Sequence, residues 1–232
     1  NVKFENMDYA FMQGFQNFLI NHKIVHRTTG TVSTLNNITI AKQLSTLKTF
    51  LGYARRKGFK IADGYKDFTI KKEKLEVIAL NKSEFDSLYD LDLSSSSRLQ
   101  QVRDVFLFSC VTGYRFSDLC QLKREHIKED EIRMTITKTK EPSVVPLTRI
   151  SREILKKYEE RVSPLPMISN QKFNEYIKEL CELAQINDPV EIIRYRGAVR
   201  EAIIYPKHEL ISAHTGRKTF VTLSLSKGIP AE

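Results

Sequence analysis

Apolar residues recur every three to four positions near the start of the chain. Phe11, Phe15, Phe18 and Leu19 form one stripe, and Ile40, Leu44, Leu47, Leu51 and Ala54 form a second. That period places each set on one face of a helix. The first helix is predicted from Asp8, a capping residue, to about Asn21. The second runs to Gly58, a natural helix stop. The stretch Gly30–Asn37 interrupts the pattern between them. From Thr69 to Ala79 neither helical period nor turn cluster is present, and the residues are extended and basic in character. This segment is expected to link two domains.

A larger, mixed region follows. Asn81 and Glu84 have the spacing of a capping box and open a helix through about Tyr89. Ser94–Ser97 reads as a polar loop. Val102, Val105, Phe106, Phe108 and Val111 make a strongly apolar helix ending at Gly113, and a short helix is expected after Arg115, to about Leu122. Ile132–Thr137 alternates as a strand, Ser143–Leu147 is its partner, and Lys138–Pro142 is the tip between them. Helices are predicted at about Ser151–Arg161, at Asn170–Ala184, and from His214 to Lys227, where Gly228 stops the last. Val190–Tyr195 and Ala198–Tyr205 fit either the strands of a small ribbon or a loop. The pattern contains no internal repeat and no low-complexity segment. It predicts a mainly α (α+β) chain: a small helical domain over 1–75, and over 76–232 a mixed domain of helices with a small antiparallel sheet.

Charge sharpens that division. Residues 1–75 hold thirteen Lys/Arg against five Asp/Glu, whereas residues 76–232 hold twenty-four against twenty-three. Almost all of the +9 net charge therefore sits in the small domain. A basic module joined to a near-neutral one fits a polyanionic partner, because each neutralised phosphate releases a counterion. No run approaches eighteen apolar residues and the N-terminus lacks a signal-peptide pattern, so no membrane association and a cytoplasmic location are expected. Cys110, Cys120 and Cys181 lie in apolar or helical patterns without metal-type spacing, and are read as buried, reduced thiols.

The candidate chemistry lies in two short phrases. Arg115, in Thr-Gly-Tyr-Arg-Phe-Ser-Asp-Leu, stands between two aromatics at the start of a helix. Arg217, in His-Thr-Gly-Arg, is followed by the apolar Thr-Phe-Val-Thr-Leu, and His214 lies one turn before it. Taken singly, Arg115 is equally well read as an ion-pair partner of Asp118, and His214 with Arg217 as a cap and a surface charge. Together, two arginines that each grip two non-bridging oxygens, with a hairpin lysine (Lys138 or Lys140) able to protonate a leaving alkoxide, are equipment for phosphoryl transfer. His22, His26, His126 and His208 lack neighbours for a metal site, no Gly-x-x-x-x-Gly-Lys loop is present, and all nine tyrosines precede the His-x-x-Arg phrase.

With these phrases in view, the whole chain resembles the tyrosine recombinases, the lambda-integrase family, and in particular the integrases of phages and conjugative elements. Residues 1–75, including Thr-Leu-Lys-Thr-Phe-Leu-Gly-Tyr-Ala-Arg-Arg-Lys-Gly from Thr46, look like the family's SAM-like core DNA-binding domain. The phrase around Arg115 is similar to the first arginine box, Thr-Lys-Thr-Lys-Glu-Pro-Ser-Val-Val-Pro-Leu to the lysine hairpin, and Ser-Ala-His-Thr-Gly-Arg-Lys-Thr-Phe to the His-x-x-Arg box. Counting back from Val145-Pro146-Leu147, Lys138 matches the catalytic lysine better than Lys140.

The resemblance implies a two-domain clamp that cuts and rejoins double-stranded DNA through a 3′-phosphotyrosyl intermediate, with no cofactor or metal, supporting integration or excision of a mobile element. Arg115 and Arg217 would hold the scissile phosphate, Lys138 would protonate the 5′-oxygen, and His214 would assist. Lys42, Lys48, Arg55, Arg56, Lys57, Lys140 and Lys218 are the expected DNA contacts, and a homotetramer on paired sites is the expected assembly of the full-length protein. Two departures stand out. Lys218 replaces a frequent histidine, and the family's last box and nucleophilic tyrosine are not among residues 1–232. The sequence is therefore expected to bind DNA without cleaving it. A DNA-binding module without chemistry is the competing reading; a generic RNA-binding protein lacks an aromatic RNA-binding signature.

Overall fold

The computed structural model describes residues 3–25, 30–71, 73 and 75–230. His26, and Lys72 and Lys74 of the expected linker, lie outside the described residues. The chain divides into two compact units: Asn1–Glu76 with Glu191–Ile204, and Val77–Val190 with Tyr205–Glu232.

The first unit is built on two helices, α1 (Tyr9–Asn21) and α2 (Asn37–Arg56). Each has a side-chain cap: Asp8 accepts from the Phe11 amide and Asn36 from the Thr39 amide, both at 2.9 Å. These bonds satisfy N–H groups that the helix itself leaves free. Between them, β1 (Lys23–Val25) and β2 (Val32–Thr34) pair antiparallel. The core is Met12, Leu19, Ile40, Leu44 and Leu51, closed by Tyr65 and Phe68. The inner face of α1 therefore differs from the predicted one. Met12 is fully buried while Phe18 is 58% exposed, and Phe11, Phe15, Phe18 and His22 follow one another in ring contact along the helix surface.

The two open segments after Val190 do form a two-stranded ribbon, Pro189–Arg196 beside Val199–Pro206. Gly197, at φ +58°, and Ala198 make its turn. The turn belongs to the first unit through Asn37. The Asn37 amide donates to the Gly197 carbonyl at 2.9 Å, and the Gly197 N–H donates back to Asn37 Oδ1 at 2.8 Å. Beside it, Arg196 donates to the Thr34 carbonyl, and Glu76 pairs with Arg194 at 2.9 Å.

The second unit is organised around α4 (Ser97–Thr112), which buries ten of its residues. Against it pack α3 (Lys82–Asp90), α6 (Arg149–Lys157), α7 (Asn170–Leu183) and α9 (Ala213–Ser226). The predicted Asn81–Glu84 capping box is present. Two one-turn helices, α5 (Phe116–Leu119) and α8 (Lys207–Leu210), sit in the connections. The hairpin of β3 (Glu131–Thr135) and β4 (Pro142–Pro146) pairs Ile132 with Val145. Cys110 and Cys181 are buried, and burial pushes the Cys181 thiol up to about 12. Cys120 is exposed just beyond α5, contrary to the expectation of three buried thiols.

Two glycines let α9 approach α4 closely. A Cβ on Gly216 would meet Ser109 Oγ at 2.6 Å, and one on Gly113 would meet Phe220 at 2.7 Å. Gly113 also takes φ +70°, the left-handed turn that ends α4 without a side-chain penalty.

Candidate active site

The left-handed turn at Gly113 throws the chain out of α4 so that Tyr114 is buried and Arg115 becomes the residue preceding α5. Arg115 keeps 27% side-chain exposure, and its Nη1 lies 4.0 Å from Asp118 Oδ2. That separation exceeds a hydrogen bond. Asp118 therefore balances the charge of Arg115 without holding its donors. The Asp118 carboxylate is fully buried. Its Oδ1 accepts from the Thr137 amide at 3.0 Å, tying α5 to the tip of the β3–β4 hairpin. Its Oδ2 has no hydrogen-bond partner among the described residues.

One turn into α9, Arg217 donates from Nη1 to the Gly113 carbonyl at 2.6 Å. Burial lowers the Arg217 pKa, and the positive charge of Arg115 lowers it further, against the opposing pull of Asp118. The two guanidiniums therefore feel each other. His214 is exposed near the start of the same helix. Partial burial lowers its pKa first, followed by Lys218, Arg217, Arg115 and Lys138. A neutral imidazole is thus held within the field of four cations, with the positive end of α9 beside it.

Lys138 is exposed on the hairpin tip. Lys140, also exposed, adopts φ +61° and is not among the cations acting on His214. A groove of about 540 Å³ runs past Thr112, Tyr114, Arg115, Thr139, Ser143 and Arg217. Burial raises the Tyr114 hydroxyl pKa, and the nearby Asp118 charge adds to the shift. Among the described residues, no group of three or more His, Cys, Asp or Glu is arranged to hold a metal ion. No helix there is long and apolar enough to cross a membrane.

In the first unit the basic residues of α2 and its end diverge in their use. Lys42 and Arg56 are exposed. Lys48 donates to the Lys66 and Phe68 carbonyls at 2.8 and 2.9 Å, so its ammonium closes a turn. Arg55 pairs with Asp63, and Lys57 lies 5.8 Å from the Tyr53 ring centre.

Residues 1–73 match the Phage integrase SAM-like domain, and residues 79–232 match the Phage integrase family. The chain belongs to the phage integrase family. No curated protein sequence matches this tyrosine recombinase significantly. Solved structures share its fold. A lambda integrase dimer bound to a COC′ core site is 16% identical, with a TM-score of 0.65, over 98% of this chain and 74% of that one. The Tn1549 transposon integrase in complex with circular intermediate DNA is 15% identical, with a TM-score of 0.61, over 99% and 76%. A lambda integrase tetramer bound to a Holliday junction matches at 17% identity and a TM-score of 0.62; 95% of this chain covers 60% of that one.

Sequence reasoning weighed Asp118 only as an ion-pair partner of Arg115. The missed feature is its bond to the hairpin backbone, which depends on a contact nineteen residues away. Asn174 was missed altogether. It lies in the interior of α7 and accepts from the first amide of α9.

Proposed function

We propose that this tyrosine recombinase binds the backbone of duplex DNA at the Arg115–Arg217 site, and that the site stabilises the transition state of strand cleavage. The observation that carries the reading is the cluster itself. Arg115, Arg217, Lys138 and Lys218 surround a neutral, exposed His214, and the carboxylate among them, Asp118, is buried away from solvent. The exposed Glu141 lines the same groove but, among the described residues, is ion-paired to none of these cations, which leaves them without a bound anion. A phosphodiester supplies one, with two non-bridging oxygens for the two guanidiniums.

In the proposed reaction a tyrosine hydroxyl attacks phosphorus, the P–O5′ bond breaks, and a 3′-phosphotyrosyl bond forms. Lys138 gives its proton to the departing 5′-oxygen, while Arg115 and Arg217 carry the charge that grows on the non-bridging oxygens. His214, as the neutral imidazole, takes the proton released by the attacking tyrosine hydroxyl and holds the phosphate in place. Tyr114 is unsuited as the nucleophile because it is buried and its hydroxyl pKa is raised. Residues 1–232 are therefore expected to bind DNA without forming a covalent adduct.

The DNA-bound states of the lambda and Tn1549 integrases support duplex DNA as the substrate. The lambda tetramer on a Holliday junction supports assembly of four protomers on paired sites. A DNA substrate fits an activity in the compartment that holds the mobile element, and the cytoplasm is the proposed location. In the small unit, Lys42, Arg56 and Lys57 are the proposed backbone contacts, with Arg55 joining them where DNA displaces Asp63.

The test is a duplex carrying a nicked suicide site. Binding that is lost on Arg115→Ala and Arg217→Ala, without denaturation-resistant adduct, supports the reading. Unchanged binding by both variants overturns it. Adduct formation by residues 1–232 overturns the assignment of the nucleophile.

A further inference from the structure

The α9 helix carries both His214 and Arg217, yet the two are held differently. Arg217 is anchored through its own side chain to the Gly113 carbonyl. Among the described residues the His214 ring makes no hydrogen bond, so its position is set by the backbone of the first turn of α9. Within the turn, Ser212 and Thr215 form a capping box, with the Ser212 amide donating to Thr215 Oγ1 at 3.1 Å and the Thr215 amide to the Ser212 carbonyl at 2.8 Å. The tie to another helix is the Ala213 amide, which donates to Asn174 Oδ1 at 2.8 Å.

Asn174 is itself oriented. Its Nδ2 donates to the Asn170 carbonyl at 2.8 Å and to Asn170 Oδ1 at 3.2 Å, one turn earlier on α7. With both amide hydrogens turned that way, the carbonyl oxygen faces Ala213; the opposite orientation would set donor against donor. Asparagine is a poor residue for a helix interior, where alanine or leucine would favour α7 more. Asn170 and Asn174 lie one turn apart on the same face and, with Arg115, Ser117 and His214, line a cavity of about 360 Å³.

We propose that Asn174 is a positioning residue for His214: its side-chain carbonyl fixes the first turn of α9 and hence the point from which the imidazole reaches the phosphate. This rests on His214 belonging to the phosphate site. Without it the amide one residue before the histidine would be free, and the first turn of α9 would be tied to α7 by no side-chain hydrogen bond at this point.

The charged groups facing His214 are Lys218 and Arg217 on α9, Arg115 before α5, and Lys138 on the hairpin. Asn174→Asp adds a carboxylate to this neighbourhood while keeping the acceptor for Ala213. His214 should therefore titrate at higher pH in Asn174→Asp, as read by NMR, with the Ala213 amide still protected. Asn174→Ala removes the acceptor. Exchange at Ala213 should rise by about tenfold relative to the rest of α9, and duplex affinity should fall by about three- to tenfold.

Equal loss of protection across α7 and α9 in Asn174→Ala, with the His214 titration unmoved in Asn174→Asp, would reduce Asn174 to a packing role and overturn the proposal. His214→Asn separates this from the underlying reading. If that variant binds DNA normally while the Asn174 variants behave as expected, the place of His214 in the phosphate site is wrong and the positioning contact stands.

Discussion

Arg217 donates to the carbonyl of Gly113 at 2.6 Å, so the second arginine of the site is fastened to the turn that launches the first. The two boxes lie 104 residues apart in the chain. One bond fixes their spacing, and its acceptor is backbone, which no substitution can remove. Arg217 therefore uses one donor for structure, and its other donors remain for the proposed phosphate.

That division predicts a difference between two replacements. Arg217→Lys keeps the charge but cannot hold the Gly113 carbonyl and grip two phosphate oxygens together. Duplex affinity should fall by about tenfold, and Arg217→Ala should fall further with a shallower salt dependence, by about one counterion. Fluorescence anisotropy across a salt series reads both. Equal affinity for Arg217→Lys and the parent would show that the fork geometry is unused.

Asp118→Ala should destabilise the second unit by about 1 kcal/mol, since it removes the part-buried bond to the Thr137 amide and leaves the Arg115 charge unbalanced. Asp118→Asn retains an acceptor for Thr137 and should lose less. Urea unfolding compares the two. The order should reverse if the amide bond contributes nothing and the asparagine NH₂ is itself poorly accommodated.

The close approach of α9 to α4 sets a steric limit. Gly216→Ala forces a Cβ to within 2.6 Å of Ser109 Oγ, and overpacking of this kind costs about 1–3 kcal/mol. Ser109→Gly in the same chain should recover part of the loss. At Gly113 the clash with Phe220 is compounded by φ +70°, so Gly113→Ala should be the more damaging of the two single variants in thermal unfolding.

His214 links the site to pH with opposite signs in two measurements. Its pKa in the folded, DNA-free protein lies below the ordinary histidine value of ~6.5, so the unfolded chain takes up the proton first as pH falls. The contribution of His214 to folding stability should therefore decline below about pH 6.5 and level off beneath the folded pKa. A bound phosphate favours the imidazolium, so duplex affinity should rise as pH falls from 8 toward that same range. His214→Asn should flatten the affinity profile between those limits. A wild-type affinity that weakens as pH falls would contradict a phosphate beside the ring.

Much of this architecture was legible. The stripe from Ile40 to Ala54, the Asn81–Glu84 box and the apolar run before Gly113 report local periods and caps, and local signals survive in a single sequence. The glycines of the two arginine phrases were visible too, but not their reason: Gly216 is required by Ser109 on another helix. What stayed hidden depends on distant partners. Phe18 fits the apolar stripe of α1 as well as Met12 does, and only the packing of α2 decides which is buried. Lys48 looks like any exposed lysine until the chain at Lys66 and Phe68 offers it two carbonyls. The ribbon after Val190 was undecided because its turn is stabilised by Asn37, 160 residues earlier.

That last separation bears on the order in which the protein is made. The first unit has both helices and most of its core by Phe68, but the turn that Asn37 clasps is synthesised about 120 residues after Glu76. At roughly 5–20 residues per second the ribosome needs on the order of ten seconds to deliver it. During that interval the amide of Asn37 has no Gly197 to bind, and Thr34 and Glu76 wait for their arginines. The amino-terminal unit is thus the first to start folding, while part of its structure arrives only after most of the second unit has been translated.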